Sequence, residues 1–512
     1  MMLPTATPQE NLVPAKSQGS EAAGELRLAM PQEESGVDPY AISSYKMQNL
    51  LSLVYEPPIM LDSAGRPQPY LFETWEINSD GSATFTIRKN LRFHSGQVLD
   101  CSHIAENLRK IRVEGEGSAY AFVMNEVESW LLSEDNMQIT IFPMRGVYPM
   151  LMSLTFPVTD SSGAVDDLKI SGTGPYIVSS FQEGEGMRLL RNESWWRLLP
   201  QIKAISVHAL KDDEAQIESL LSGSIDMVYT RATGLASYRN SKTVDSVSVR
   251  SNTFEFISIN LSSPLFSGNQ LFKSAVIHAV DKKDLIANVY QGVAVPADFP
   301  VPADAWFYSG VHEAPDYSEE KSREMLEQMG YADRDGDGYL DESAWSREPL
   351  ALRLITNSHV SSSVHRDAVR RLEKQLKAVG IKAEAQVLEM DSFQEALEAG
   401  EFDLAYVGVD VGSVPHIDAF FAEGGSLNFS GYSSALMEAL LLERAKAATQ
   451  QEFIAISAKI EERAMQDMPI IGICFRNSII LKSKNLSGLG AVRSENVFIN
   501  IDEWVLEQED GQ

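Results

Sequence analysis

The chain has 512 residues, more than one hydrophobic core usually organises, so two or three domains are expected. Its 44% hydrophobic and 22% charged residues are those of a globular protein, and 43 Lys+Arg against 72 Asp+Glu leave a formal charge of −29. Such a surface repels phosphate backbones and anionic membranes, which argues against nucleic acid and lipid bilayers as partners. No apolar run approaches the roughly 18–20 residues that span a bilayer. Residues 1–24 are polar and rich in Pro, Ser, Ala and Gln, without the pattern of a signal peptide, and read as a disordered tether. Cys101 and Cys474 stand far apart in apolar settings, the usual surroundings of inert buried thiols.

Order begins with an alternating strand at 25–31, a turn at Asp38-Pro39 and helical spacing over 43–56. Two short strands around an Asp-Gly turn fill 75–88, and a helix follows over 101–112. Polar residues 160–171 read as a linker, after which Gly172-Thr173-Gly174-Pro175-Tyr176 opens a hairpin-rich stretch. From Ala215 strands and helices alternate: strands at 225–229, 254–260, 350–356, 381–388, 402–409 and 470–475, and helices at 271–289, 318–329, 364–379, 393–399, 435–447 and 451–467. A last segment covers 498–504. Alternation with short loops predicts an α/β fold.

Searches for chemistry return little. There is no G-x-x-x-x-G-K-[ST] phosphate loop, H-E-x-x-H, G-x-S-x-G or C-x-x-C. Eight scattered histidines include the close pair His359 and His365, whose spacing on a Ser-rich turn suits no metal. A hydrolase would need a nucleophile–base or metal constellation, so the chain reads as a non-enzyme. One segment is suggestive. Asp333, Asp335, Asp337 and Asp341 stand at positions 1, 3, 5 and 9 of a calcium-type loop, with Gly338 at position 6. Position 12, where a bidentate Glu belongs, is Ala344. A solvated turn and a weak Ca²⁺ site both fit; no other cofactor is implied.

From Glu25 onward the order of segments resembles the family 5 extracellular solute-binding proteins, the oligopeptide-, dipeptide- and nickel-binding components of ABC importers. The resemblance rests on Leu71-Phe72-Glu73-Thr74-Trp75-Glu76-Ile77-Asn78-Ser79-Asp80-Gly81 with Phe85 to Gly96, on Gly172 to Tyr176 with Arg191-Asn192-Glu193-Ser194-Trp195-Trp196, on Ile259-Asn260-Leu261 with Phe272 to Lys282, on Val379-Gly380-Ile381-Lys382, and on Phe402-Asp403-Leu404-Ala405. It implies a periplasmic-binding-protein-like α/β fold of the class II, cluster C type: two lobes, a hinge and an extra inserted subdomain. Lobe I would comprise 25–50, 163–262 and 475–512, the inserted subdomain 51–162, and lobe II 263–474. The implied role is capture of a peptide in the inter-lobe cleft and delivery to ABC permease subunits. A non-peptide solute (oligosaccharide, opine or metal chelate) or a peptide-sensing receptor without import are the alternatives. The implied state is a monomer outside the cytoplasm, lipid-anchored at the cell surface or periplasmic, with the signal sequence absent from this chain.

In peptide-binding members an aspartate after a lobe II strand pairs with the ligand's α-ammonium, and the matching position here is Asp410. A carboxylate buried in the cleft would be costly unless paired. Members often carry Trp where Val409 stands, so the identity of the ligand departs from the pattern at this point. Further candidates for ligand contact are Ser43, Ser44, Thr230, Arg231, Asn260 and Tyr406.

Overall fold

The structure is a computed structural model describing residues 24–507, apart from positions 35, 43, 161–170, 233–234, 236–237, 239–240, 312–313, 359–362, 413 and 415. The tether, Ser43, His359 and most of the linker expected at 160–171 lie outside the described residues.

Three sheets of four or more strands carry most of the chain; period-2 burial marks strands of the first two, whereas the central strands of the third are buried on both faces. In the strand Glu25–Pro31, Leu26, Leu28 and Met30 point inward and their neighbours are part-exposed. This strand pairs in parallel with Ala204–Leu210, which continues antiparallel to Gly186–Arg191 and then Tyr176–Gln182. A second, wholly antiparallel sheet has the order Phe72–Ile77, Ala83–Ile87, Gln138–Pro143, Val127–Leu132. The third has the order Met227–Thr230, Ile470–Ser483, Val244–Ile259, Leu404–Asp410, Ala351–Asn357, Lys382–Leu388. Its last strands are parallel, and the amphipathic helix Val364–Ala378 packs its buried face (Ala368, Val369, Leu372, Leu376) against them.

Three long apolar cores follow. One gathers Leu26, Leu28, Tyr176, Ile205 and Trp504; a second gathers Ile257, Phe272, Leu354, Val369 and Tyr406; the largest runs from Phe72, Phe85 and Ile139 to Phe254, Phe420 and Phe453. The strands Val244–Ile259 and Ile470–Ser483 thread more than one of them: Val249 and Ile480 lie in the first, Ile257 and Ile471 in the second. They pair antiparallel, with shifts of register between Arg250 and Phe254 and between Glu255 and Phe256.

Several elements differ from the sequence expectation. The strand expected at 254–260 starts ten residues earlier, at Val244, and that expected at 470–475 continues to Ser483. Polar residues interrupt both extensions (Asp245, Ser246, Ser248 and Arg250 in one, Arg476, Asn477 and Ser478 in the other), so neither continues the apolar run that marks its other half. The single helix expected at 271–289 is two, Gln270–Ala279 and Lys282–Asn288, because the Asp281 carboxylate accepts the Asp284 N–H and caps a new start.

Candidate functional site

A cavity of about 530 Å³ is walled by segments from widely separated parts of the chain. The helix Tyr45–Leu51 and the following turn supply Tyr45, Gln48, Ser52 and Tyr55; the segment after them supplies Ile59, Met60 and Leu61. Tyr120 and Phe122 come from the short helix region near residue 121, and Asn252 from the irregular part of the long strand. Asp410, Val411, Gly412 and His416 close it from the end of Leu404–Asp410, and Arg493 to Asn496 from the C-terminal turn. A cavity of this size, mostly apolar with a few convergent charges, is the form of a small-solute site. A second cavity, about 440 Å³, shares Asp410, Val411 and His416 with the first and continues along Asp418 to Leu427.

The charges on the wall are paired. Asp410 lies 3.6 Å from Arg231, and their side chains are 51% and 35% exposed. The carboxylate also accepts the Gly412 N–H at 2.9 Å. The Arg231 guanidinium lies over the Tyr45 ring at 4.3 Å. Glu495 accepts from the Asn252 amide and sits 3.4 Å from Arg493. Burial alone would raise its pKa, but Arg493, a backbone N–H, Asn252 and Arg250 together hold the carboxyl below its usual range, so it is ionised.

Where the cavity wall meets the second sheet, a buried polar cluster joins two bodies. Glu126 is 1% exposed and lies 3.4 Å from Arg145 and 3.5 Å from His416, while Arg145 also pairs with Asp418. Burial pushes the Glu126 carboxyl up to about 7, against the pull of Arg145. Burial likewise lowers His416, opposed by Asp418. Arg444, buried over Phe453 at 4.5 Å, faces the same cluster and is lowered to about 10 by burial. The approach is close: a Cβ on Gly146, whose φ is +125°, would stand 2.4 Å from the Ala445 carbonyl oxygen. Behind the wall, Glu56 accepts from the Tyr70 hydroxyl at 2.8 Å and from the Trp195 and Trp196 indoles at 3.0 and 2.9 Å.

Of the residues singled out in the sequence, the structure brings Asp410 and Arg231 together on the cavity wall. Asp410 is half exposed there, where the sequence reading had a buried carboxylate. The others lie elsewhere. Tyr406 is fully buried and bonds its hydroxyl to that of Tyr290 at 2.5 Å. Thr230 is buried, donates to Asp213 and accepts the Ala232 N–H. Asn260 binds the carbonyls of Gly400 and Phe402 at 3.0 and 2.8 Å, and Ser44 caps the helix Tyr45–Leu51. In the acidic loop the Asp333, Asp335 and Asp337 carboxylates lie within 4.8 Å of one another, all exposed. Asp341 is turned away: it is buried, 3.3 Å from Arg334 and 3.5 Å from Arg347. Asp333 accepts the Gly336 and Gly338 N–H groups, and both glycines have positive φ. Cys101 and Cys474 are free and buried, and burial pushes the Cys101 thiol up to about 12.

Mixed α/β sheets around a partly open cavity, with a wholly antiparallel sheet appended, give the chain a periplasmic-binding-protein-like fold. The model of the bacterial extracellular solute-binding proteins, family 5 Middle, matches residues 66–428, and the chain belongs to that family. The chain is 22% identical over 440 residues to the oligopeptide-binding protein AppA of Bacillus subtilis (strain 168), covering 82% of this chain and 80% of that one. It is 27% identical over 328 residues to the nickel-binding periplasmic protein of Escherichia coli (strain K12), covering 60% and 62%. Among solved structures, HbpA2 from Haemophilus parasuis superposes with a TM-score of 0.82 at 18% identity, over 95% of this chain and all of that one. The family is extracellular by its own description, and no helix among the described residues is long and apolar enough to cross a membrane.

Proposed function

We propose that the chain captures a short peptide in the 530 Å³ cavity, with the peptide's α-ammonium on Asp410, and hands it to the permease of an ABC importer. It acts outside the cytoplasm, lipid-anchored or periplasmic, and makes no covalent change to the solute. The observation that supports this reading is the Asp410 carboxylate, half exposed on a wall that also presents Tyr45, Tyr55, Met60, Tyr120 and Phe122. The aromatic surfaces would take side chains of varied shape, and the carboxylate would fix one end. The likeness to an oligopeptide-binding relative agrees with it.

Mass spectrometry of the solute carried through native purification identifies its class directly. The site is tested by a double cycle in calorimetry. Asp410→Asn keeps the shape and removes the charge, and N-acetylation removes the charge from the other side. Each change should cost about 1.5–3 kcal/mol, roughly 10–100-fold in affinity, and the two together little more than one. That is below the cost for a fully buried pair, because Asp410 is half open to water in the free protein. Equal binding of free and acetylated peptides would remove Asp410 as the amine anchor.

A further inference from the structure

The buried cluster around Glu126 sets a condition on how the two bodies it joins can meet. Glu126 stands just ahead of the strand Val127–Leu132, and Arg145 just ahead of the helix Val147–Ser153. Facing them are His416 and Asp418 at the start of the helix Ile417–Phe421, and Arg444 near the end of the helix Ala435–Ala445. One Glu126 oxygen, Oε1, lies 3.4 Å from Arg145 and 3.5 Å from His416 Nδ1. The other, Oε2, has no hydrogen-bond partner among the described residues, and only 1% of the side chain meets solvent. The helix Gln450–Asp467 presents the Ser457 hydroxyl to Arg444 at 3.3 Å. Asp410 and Glu423 stand further along the second cavity, whose wall includes Arg145, His416 and Asp418.

Arg145 is already paired with Asp418, so the protonation of Glu126 and His416 is what remains to be settled. If both were ionised, a carboxylate oxygen would lack a donor where water is excluded, and an imidazolium would face two guanidiniums. With one proton on the carboxyl and the imidazole neutral, neither group carries charge. Burial acts in that direction on both. It raises the Glu126 carboxyl to about 7, and it lowers His416, where Asp418 opposes and Arg145 and Arg444 add to the effect. Apart in water, with ordinary values of 4.5 and 6.5, the same two groups would keep their one proton on the imidazole over the interval between.

We propose that the meeting of the two bodies hands one proton from His416 to Glu126, so that the contact forms without net uptake or release of protons at mildly acidic pH. The proton leaves Nδ1, the nitrogen nearest the carboxyl, and forms an O–H bond on Glu126, while the imidazole keeps its proton on Nε2. Alone, Glu126 would favour the contact on acidification and His416 would oppose it; together they cancel. For a member of a family described as extracellular, this holds the wall beside the solute cavity steady in a medium whose pH the cell does not set.

The test is urea unfolding of the full chain between pH 5 and 7, with the unfolded chain as the separated state. Each unfolding constant is taken relative to that of the unmodified protein. For Glu126→Gln the ratio should rise on acidification, by up to about tenfold per pH unit; for His416→Gln it should fall by a similar factor. The double variant should show a ratio that does not change with pH. Single variants with flat ratios or slopes of the same sign overturn the proposal, as does a slope that persists in the double variant. Imidazole nitrogen NMR, with His416→Gln assigning the resonance, gives a reading that needs no unfolding. His416 should be neutral at pH 6 in the unmodified protein, and an imidazolium there overturns the proposal whatever the variants do.

Discussion

Removing the charge of Glu56 while keeping its shape should loosen the protein and the cavity together. Glu56 is 1% exposed, and its carboxylate accepts three hydrogen bonds, from Tyr70, Trp195 and Trp196, at 2.8–3.0 Å. Burial raises its pKa, and these donors oppose the shift. In Glu56→Gln one carboxylate oxygen becomes an NH₂. The remaining oxygen accepts the Tyr70 and Trp195 bonds, and the NH₂ confronts the Trp196 indole N–H, donor against donor. One bond to a charged acceptor is lost and its buried donor is stranded, which costs about 1.5–3 kcal/mol. Glu56→Leu strands all three donors and should cost more, despite relieving the burial of a charge. Urea unfolding followed by tryptophan fluorescence reads the change, since two of the reporters are the donors themselves. Because Tyr55 and Pro57 flank Glu56 and line the cavity, solute affinity should fall in the same variants. A Glu56→Gln protein as stable as the unmodified one would refute the reasoning.

The Glu126 cluster predicts a pH dependence. Its folded pKa of about 7 exceeds the ordinary 4.5, so its contribution is fully present below 4.5 and is lost as pH rises through 7. Glu126→Gln should match the unmodified protein near pH 4 and exceed it near pH 8 by at most about 3 kcal/mol in unfolding free energy; an equal difference at both pH values would count against it. For the acidic loop, a calcium site with a Kd of about 1 mM would add about 1.4 kcal/mol at about 10 mM Ca²⁺, raising Tm, and Asp335→Ala should remove the gain. No response in the unmodified protein leaves the loop as a turn. The two cysteines, buried and with raised pKa, should resist a thiol reagent in the native protein and both react after unfolding; rapid native reaction would show that one of them is exposed.

What the sequence discloses follows from the range of the interactions. Elements with periodic burial are visible in it: the strand Glu25–Pro31 alternates strictly, and the helix Gln450–Asp467 announces itself by apolar spacing and a Thr449/Glu452 capping box. The outer halves of Val244–Ile259 and Ile470–Ser483 are not visible, because polar residues separate them from the apolar runs and they are held as strands by each other, across more than 200 residues of chain. The site divides in the same way. Asp410 stands out only through family resemblance at a strand end, and Arg231 through its place after Thr230. Tyr45, Tyr120, Asn252, His416, Arg493 and Glu495 carry no local signal, since each belongs to a segment whose neighbours in sequence are structural. Tyr406 illustrates the opposite error. It precedes Asp410 on the same strand, but four residues of pleat carry it into the core, where Tyr290 occupies its hydroxyl.

The irregularity in the long ribbon is a local break in its pairing. Between the paired positions Arg250–Asn477 and Phe254–Phe475, three residues of one strand oppose a single residue of the other, Arg476, whose carbonyl is held by the Ser251 hydroxyl. A ribbon bends most cheaply where rungs of its ladder are missing, so this stretch is a crease in a sheet that is stiff on either side. Asn252 lies in the crease and on the cavity wall at once. A solute in the cavity would therefore lie against the stretch of the ribbon where its ladder is interrupted.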